Sequence, residues 1–188
     1  MSRLIKNSNI DLNIFLISQL NYGQHYEDEI NLIIKDNSDC IYTGSVYRGL
    51  LFHPDEIRDA YDKFLSEINE SKVDFKNFSY YLYGIMSKLI RINGLYQSFS
   101  KSFEGAYNVL QFRKEPIDIN IIFKCDVENG LDIEKLVNKH KDNLSLETKE
   151  SFNIFKNQEE VLAKFIDFNF YFVEFGDLKN LFIKFQKE

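Results

Sequence analysis

Hydrophobic spacing changes its period several times along this 188-residue chain, and the order of those changes limits the folds open to it. Near the start, Ile10, Leu12, Ile14, Phe15, Ile17 and Leu20 suggest one or two short helices. Ile30, Ile33 and Ile34 share one side of another, entered through the acidic run Glu27-Asp28-Glu29, which suits a helix N-terminus electrostatically. Over residues 40–51 the period shortens. Ile41, Thr43, Val46, Tyr47 and Leu50 read as a strand that enters a tight turn at Gly44 and leaves past Gly49. His53-Pro54-Asp55-Glu56 is a helix start with proline in the first turn. Helical spacing then returns in Ile57, Ala60, Tyr61, Phe64, Leu65 and Ile68, and again in Phe78, Leu82, Ile85, Met86, Leu89 and Ile90, with Asn93-Gly94 closing the second stretch.

Residues 95–99 read as a strand, Ser100 or Ser102 as an N-cap, and residues 103–112 as a helix. Residues 117–127 alternate well enough for a central strand, with Pro116 at its first residue, where proline is tolerated. Residues 132–140 are predicted helical, and the Phe-dense last forty residues read as three short strands. Helices first, a mixture next and strands last make an α+β chain rather than a regular βαβ alternation. The aromatic load supports a substantial sheet: 18 Phe and 11 Tyr without a Trp. Two Pro and eight Gly leave little material for long linkers, so residues 1–188 are expected to form one domain.

A net charge of −6 disfavours a role that depends on neutralising many phosphates. Cys40 and Cys125 are too few for a disulfide framework and suggest a reducing compartment. With three scattered histidines they give no metal-ligand spacing, so no metal is expected. No apolar run approaches the roughly 18–20 residues of a membrane span, and residues 13–20 lack a signal-peptide pattern. A cytoplasmic protein, of the producing or of a target cell, with no membrane partner is the expectation.

Three short segments carry the chemistry. Val46-Tyr47-Arg48-Gly49-Leu50, Tyr96-Gln97-Ser98-Phe99-Ser100 and Gln158-Glu159-Glu160-Val161-Leu162 each place a polar group on a strand-like stretch, with 50 residues from Arg48 to Ser98 and 62 from Ser98 to Glu160. An arginine fork pairs with phosphate oxygens, a strand-borne hydroxyl can order a site, and a carboxylate can counter positive charge that develops on a sugar. Together the segments resemble the three-part signature of the arginine–serine–glutamate class of mono-ADP-ribosyltransferases, over about residue 26 to the C-terminus. Ala106, eight residues after Ser98, also fits that family, whereas Phe99 replaces the middle threonine of its Ser-Thr-Ser stretch.

The resemblance implies an ADP-ribosyltransferase-like split, mixed β core with N-terminal and flanking helices, and marks about residues 55–93 as a helical insertion. It implies NAD as a substrate, bound through Tyr47, Arg48, Gly49, Ser98 and Ser100. The guanidinium would meet the phosphates and the Gly49 backbone the nicotinamide amide. Glu160 would be catalytic, and Gln158 would share its face through strand alternation. Relatives with Gln at that position act on asparagine or on guanine, so an arginine acceptor is disfavoured. A protein acceptor is expected over a nucleic acid, given the charge. Phe155, with Phe152, falls in the segment that presents an aromatic to the acceptor, the alternative being anchorage of that segment in the core. Phe103, Tyr107 and Phe112 are candidates to stack on nicotinamide, and helix packing explains them equally well. Other readings of the same scaffold are modification of a DNA or RNA base, simple NAD hydrolysis, and a non-catalytic binding module. Family habits suggest a toxin, phage or effector setting with an antitoxin or immunity protein as a further partner. Gly44 and Gly49 make no phosphate-binding glycine motif, and Ser98 has no triad partners at recognisable spacing.

Overall fold

A computed structural model describes residues 10–22, 27–67, 73–91, 96–113, 119–164, 171–174 and 178–187. Their elements run α1 (Leu12–Tyr22), α2 (Glu27–Asp36), β1 (Ile41–Phe52), α3 (Pro54–Glu67), α4 (Phe75–Arg91), β2 (Tyr96–Ser100) and α5 (Phe103–Arg113). After these come β3 (Ile119–Asp132), α6 (Ile133–His140), α7 (Leu146–Phe155), β4 (Glu160–Lys164), β5 (Tyr171–Glu174) and α8 (Leu178–Phe185). The class is α+β, as the order of periods implies. Asn93-Gly94, Pro116, Ile68, Phe168, Phe170 and Phe175 lie outside the described residues, as does the side chain of Phe112.

The strands close on one another. β1 and β3 pair from Ile41↔Leu131 to Phe52↔Ile119. β2 and β4 pair from Tyr96↔Lys164 to Ser100↔Glu160. The end of β3 meets β4 at Leu131↔Leu162 and Asp132↔Val161, and β2 returns to β1 at Tyr47↔Ser100. The circuit β1–β2–β4–β3 is therefore a small closed ring, whose interior is filled by Val46, Phe99, Cys125, Val127, Val161 and Ala163. β5 continues the sheet from the other half of β3. Every pairing among the described residues is antiparallel, so the expected mixed core is corrected to an antiparallel one. The expected turn at Gly44 is also corrected. β1 is a single strand of 12 residues with a bulge between Tyr42 and Gly44, where Gly44 takes φ +146° and so absorbs the extra residue without ending the strand.

Helices cover the ring and its extension in three groups. α3, α4 and α8 pack Ile57, Tyr61, Phe64, Phe78, Leu82, Phe182 and Phe185 against Ile119, Ile121 and Phe123 of β3. Tyr61 sits at the centre of this aromatic cluster, edge-on to Phe78 and to Phe182 at 5.5 and 5.6 Å. The last of the three expected C-terminal strands is thus a helix. Leu178, Phe182 and Phe185 recur at steps of four and three, which is the helical period. α1, α2 and α6 enclose a second cluster on Tyr96, Leu131 and Leu162, and α5 lays Ala106 and Leu110 on Ile122.

Apolar burial and polar side chains dock α1 together. Phe15 and Leu16 are buried, and Asn13 Oδ1 accepts hydrogen bonds from the Ser145 N–H and the Thr148 hydroxyl at 2.8 and 2.9 Å. Ser145 in turn caps α7, its Oγ accepting from the Thr148 N–H at 3.1 Å. One asparagine therefore fixes the start of α1 to the start of α7. Among the described residues no helix is long and apolar enough to cross a membrane.

Candidate active site

β2 and β4 set the centre of the site. Their register places Ser100 opposite Glu160 and Ser98 opposite Leu162. Phe99, Val161 and Ala163 point into the ring, so alternation turns Ser98, Ser100 and Glu160 to its outer side, together with Tyr96 and Leu162. There α1 delivers Gln19, only 2% exposed. Its amide nitrogen donates to Ser98 Oγ at 3.0 Å and to Glu160 Oε1 at 2.7 Å. Two motif residues from neighbouring strands thus share one donor that lies 79 and 141 positions away in the chain.

Arg48 approaches from the other side. Tyr47 pairs with Ser100 and packs beneath α5, which turns Arg48 to the face of Val46, inside the ring. Its guanidinium carbon stands 5.8 Å from the centre of the Phe99 ring, and Nη1 donates to the Ser98 carbonyl at 2.9 Å. The structure accordingly brings the side chains of Ser98 and Glu160 together, and joins Arg48 to them through the peptide of Ser98. The register explains the difference, because Tyr47 rather than Arg48 stands opposite Ser100.

Gly49 and Ser100 have packing reasons to be where they are. A Cβ on Gly49 would lie 2.5 Å from Leu110 Cγ, so the bare backbone lets α5 seat on β1. Ser100 is 3% exposed, and its Oγ accepts from the Ser102 N–H at 3.3 Å. Of the two serines offered as the cap of α5, Ser102 takes the role, accepting from the Gly105 N–H at 3.0 Å. Gly105 is tighter still. A Cβ there would meet Ser100 Oγ at 2.1 Å and the Gln158 carbonyl oxygen at 2.8 Å. Tyr47 meets Phe103 edge-on at 6.3 Å, and Phe103 stacks on Tyr107 at 6.4 Å, so these aromatics serve the packing of α5.

Gln158 is not on the strand. It ends a 3-10 turn, residues Lys156–Gln158, and Glu159 follows in the left-handed conformation at φ 49°, ψ 48°. Alternation therefore does not relate Gln158 to Glu160, which corrects the expectation of a shared strand face. The turn is closed by the Glu159 N–H donating to the Lys156 carbonyl at 3.2 Å, and the Glu159 carbonyl accepts from the Lys101 N–H at 3.0 Å. A non-glycine residue held in this region is strained and persists only where its surroundings fix it. Lys101 supplies part of that fixation through ion pairs with buried Asp132 and with Glu134, at 3.4 and 2.9 Å. Burial pulls the Lys101 ammonium down, but Glu134 and Asp132 more than offset this and leave it above the ordinary lysine range. Phe152 packs on the second cluster, and Phe155 ends α7 half-buried, so the expected acceptor loop is a helix up to Phe155.

Gln19 is the residue that sequence reasoning missed. Its one signal is a carboxamide set inside the apolar run Ile14–Leu20, where a helix docked by Phe15 and Leu16 would bury it. Both thiols are buried and held protonated. Cys125 is enclosed in the ring, and burial, aided by Asp126, pushes it up to about 12, while burial and Asp39 raise Cys40. Comparison with protein-family models, with curated proteins and with solved structures finds no match to this chain.

Proposed function

We propose that this chain is a mono-ADP-ribosyltransferase, which cleaves NAD between nicotinamide and ribose and passes ADP-ribose to a macromolecule, a protein side chain other than arginine. One observation carries the reading. Three segments separated by 50 and 62 residues meet around β2, with Gln19 tying Ser98 to Glu160 and Arg48 holding the Ser98 carbonyl. A hydroxyl and a carboxylate on paired strands, with a guanidinium one peptide away, are the groups that nicotinamide–ribose cleavage needs.

As the bond from C1′ to the nicotinamide nitrogen breaks, its electron pair leaves with nicotinamide and positive charge builds on the ribose. Glu160 counters that charge from a fixed position, and a carboxylate held in place stabilises the transition state more than the ground state. The acceptor then forms its bond to C1′ and gives up a proton. Arg48, on the inner side of the ring, adds positive charge one peptide behind Ser98, and Ser98 helps to order the carboxylate through the Gln19 amide. Gln158, an amide that both donates and accepts, positions an amide-bearing acceptor. The net charge of −6 supports a protein acceptor over a nucleic acid.

Labelled NAD in a cell lysate tests this. Label lost only to protease supports a protein acceptor, label lost only to nuclease moves the target to a base, and free ADP-ribose alone makes the enzyme a hydrolase. Glu160→Ala is expected to lower nicotinamide release by about 10²–10³-fold or more while leaving the fold intact. Ordinary release by a well-folded Glu160→Ala protein overturns the assignment.

A further inference from the structure

We infer that Gln19 is a positioning residue for Glu160: a buried amide that holds one carboxylate oxygen, so that the other stands fixed toward the ribose. The inference rests on the transferase reading and extends it to a residue outside all three segments.

Stereochemistry carries the argument. A primary amide has two N–H donors diverging from one nitrogen. In Gln19 these reach Ser98 Oγ and Glu160 Oε1 at 3.0 and 2.7 Å, the second within the range of a charge-assisted bond. A glutamate side chain at the first residue of a strand has three rotatable torsions, and more than one rotamer is open to it. The amide selects one. It also marks Ser98 as part of the same support, since its hydroxyl accepts from the same amide nitrogen.

A plug that must withdraw for substrate to enter is the competing view of Gln19, and the burial argues against it. Gln19 is 2% exposed, whereas Glu160 is only half-buried, so the amide lies behind the carboxylate rather than in front of it. The helix that carries it is anchored at Asn13 by Ser145 and Thr148, further along by buried Phe15 and Leu16, and near its end by Asn21, which donates to Ser151 Oγ at 3.3 Å. A lid would not be tied at both ends. α1 is a bracket.

The test compares Gln19→Met, close in shape and without a donor, with Asn21→Ala, which loosens the same helix without touching Glu160. Nicotinamide release is measured against NAD concentration. For Gln19→Met a fall in kcat of about 10–100-fold is expected, the scale of a slight misplacement of a working group, with KM for NAD within about threefold of wild type. Asn21→Ala is expected to keep kcat within about twofold. In protein labelled with carbon-13 at the glutamate carboxyls, the Glu160 resonance, identified by its absence in Glu160→Gln, should move in Gln19→Met and stay in Asn21→Ala. A folded Gln19→Met protein with wild-type kcat, a change confined to KM, or equal losses in both variants overturns this inference while leaving the transferase reading in place. If Gln19→Met does not fold, Gln19→Glu carries the same comparison, because it keeps the shape and loses at least one donor; an unchanged kcat there overturns the inference as well. A wild-type protein that releases no nicotinamide overturns the transferase reading, and the role of Gln19 falls with it.

Discussion

Two glycine-to-alanine substitutions, each within a helix, should move stability in opposite directions. Gly84 lies inside α4, and a Cβ built there meets nothing within 4 Å. Alanine should gain its intrinsic helical preference and less freedom in the unfolded chain, together about 0.5–1 kcal/mol. Gly105 lies in the first turn of α5, where the same methyl would stand 2.1 Å from Ser100 Oγ and 2.8 Å from the Gln158 carbonyl oxygen. Neither obstacle is a flexible side-chain tip: Ser100 is buried and bonded to the Ser102 N–H, and the second is backbone. Relief requires α5 and the 3-10 turn to part, which sets the penalty at the upper end for overpacking, about 3 kcal/mol. Offset by roughly 1 kcal/mol of helix propensity, the net loss is about 2 kcal/mol. Thermal unfolding should show Gly84→Ala melting about 1–4 °C above wild type and Gly105→Ala about 4–8 °C below it. Urea titrations should give unchanged slopes, so that the midpoints alone report the difference. If Gly105→Ala is as stable as wild type, α5 does not sit against Ser100 and Gln158 as described, and the account of the site's floor is wrong.

Other perturbations reach different parts of the molecule. Cys125 and Cys40 should resist a thiol reagent at pH 8 until denaturant is added, because burial holds both protonated. The sign of the linkage follows from Cys125: its folded value near 12 exceeds an unfolded value near 9, so its contribution is complete below pH 9 and is lost as pH rises toward 12, which urea midpoints across that range should reveal. Ser145→Ala removes the cap of α7 and should lower stability by about 1 kcal/mol in the same titration. Glu159→Gly relaxes the left-handed residue before β4 and should leave stability level or raise it by up to about 1 kcal/mol; a loss above that size would show that its side chain, not its backbone, holds the turn.

Much of the fold was legible in the sequence because burial imposes a period. The helical spacing from Ile57 to Phe64 and the alternation before Val127 became α3 and β3, and the Pro54 start and the Ser102 cap lie where their chemistry requires. What misled was local. Gly44 looks like a turn, yet its positive φ serves a bulge inside a strand whose partner, β3, is remote in sequence. Gln158 and Glu160 look alternate, yet one strained residue between them cancels the alternation. Phe182 and Phe185 look strand-like by composition, while their spacing is helical. In the site, Ser98 and Glu160 could be paired from their segments, since both begin or lie on strands that become neighbours. Gln19 could not, because a single polar residue carries no period and its two partners are supplied entirely by tertiary structure.

Closure of the four-strand circuit has a consequence for the newborn polypeptide. β1 leaves the ribosome early, but β3, which zips along it, and β4, which completes the loop, are made much later. Until then the nascent chain carries unmated edges and apolar faces, the state most exposed to aggregation and to chaperone capture. The Glu160 carboxylate arrives with that same final strand of the circuit, so the site cannot be half-built: it comes into being only when synthesis has passed Lys164 and the barrel has shut.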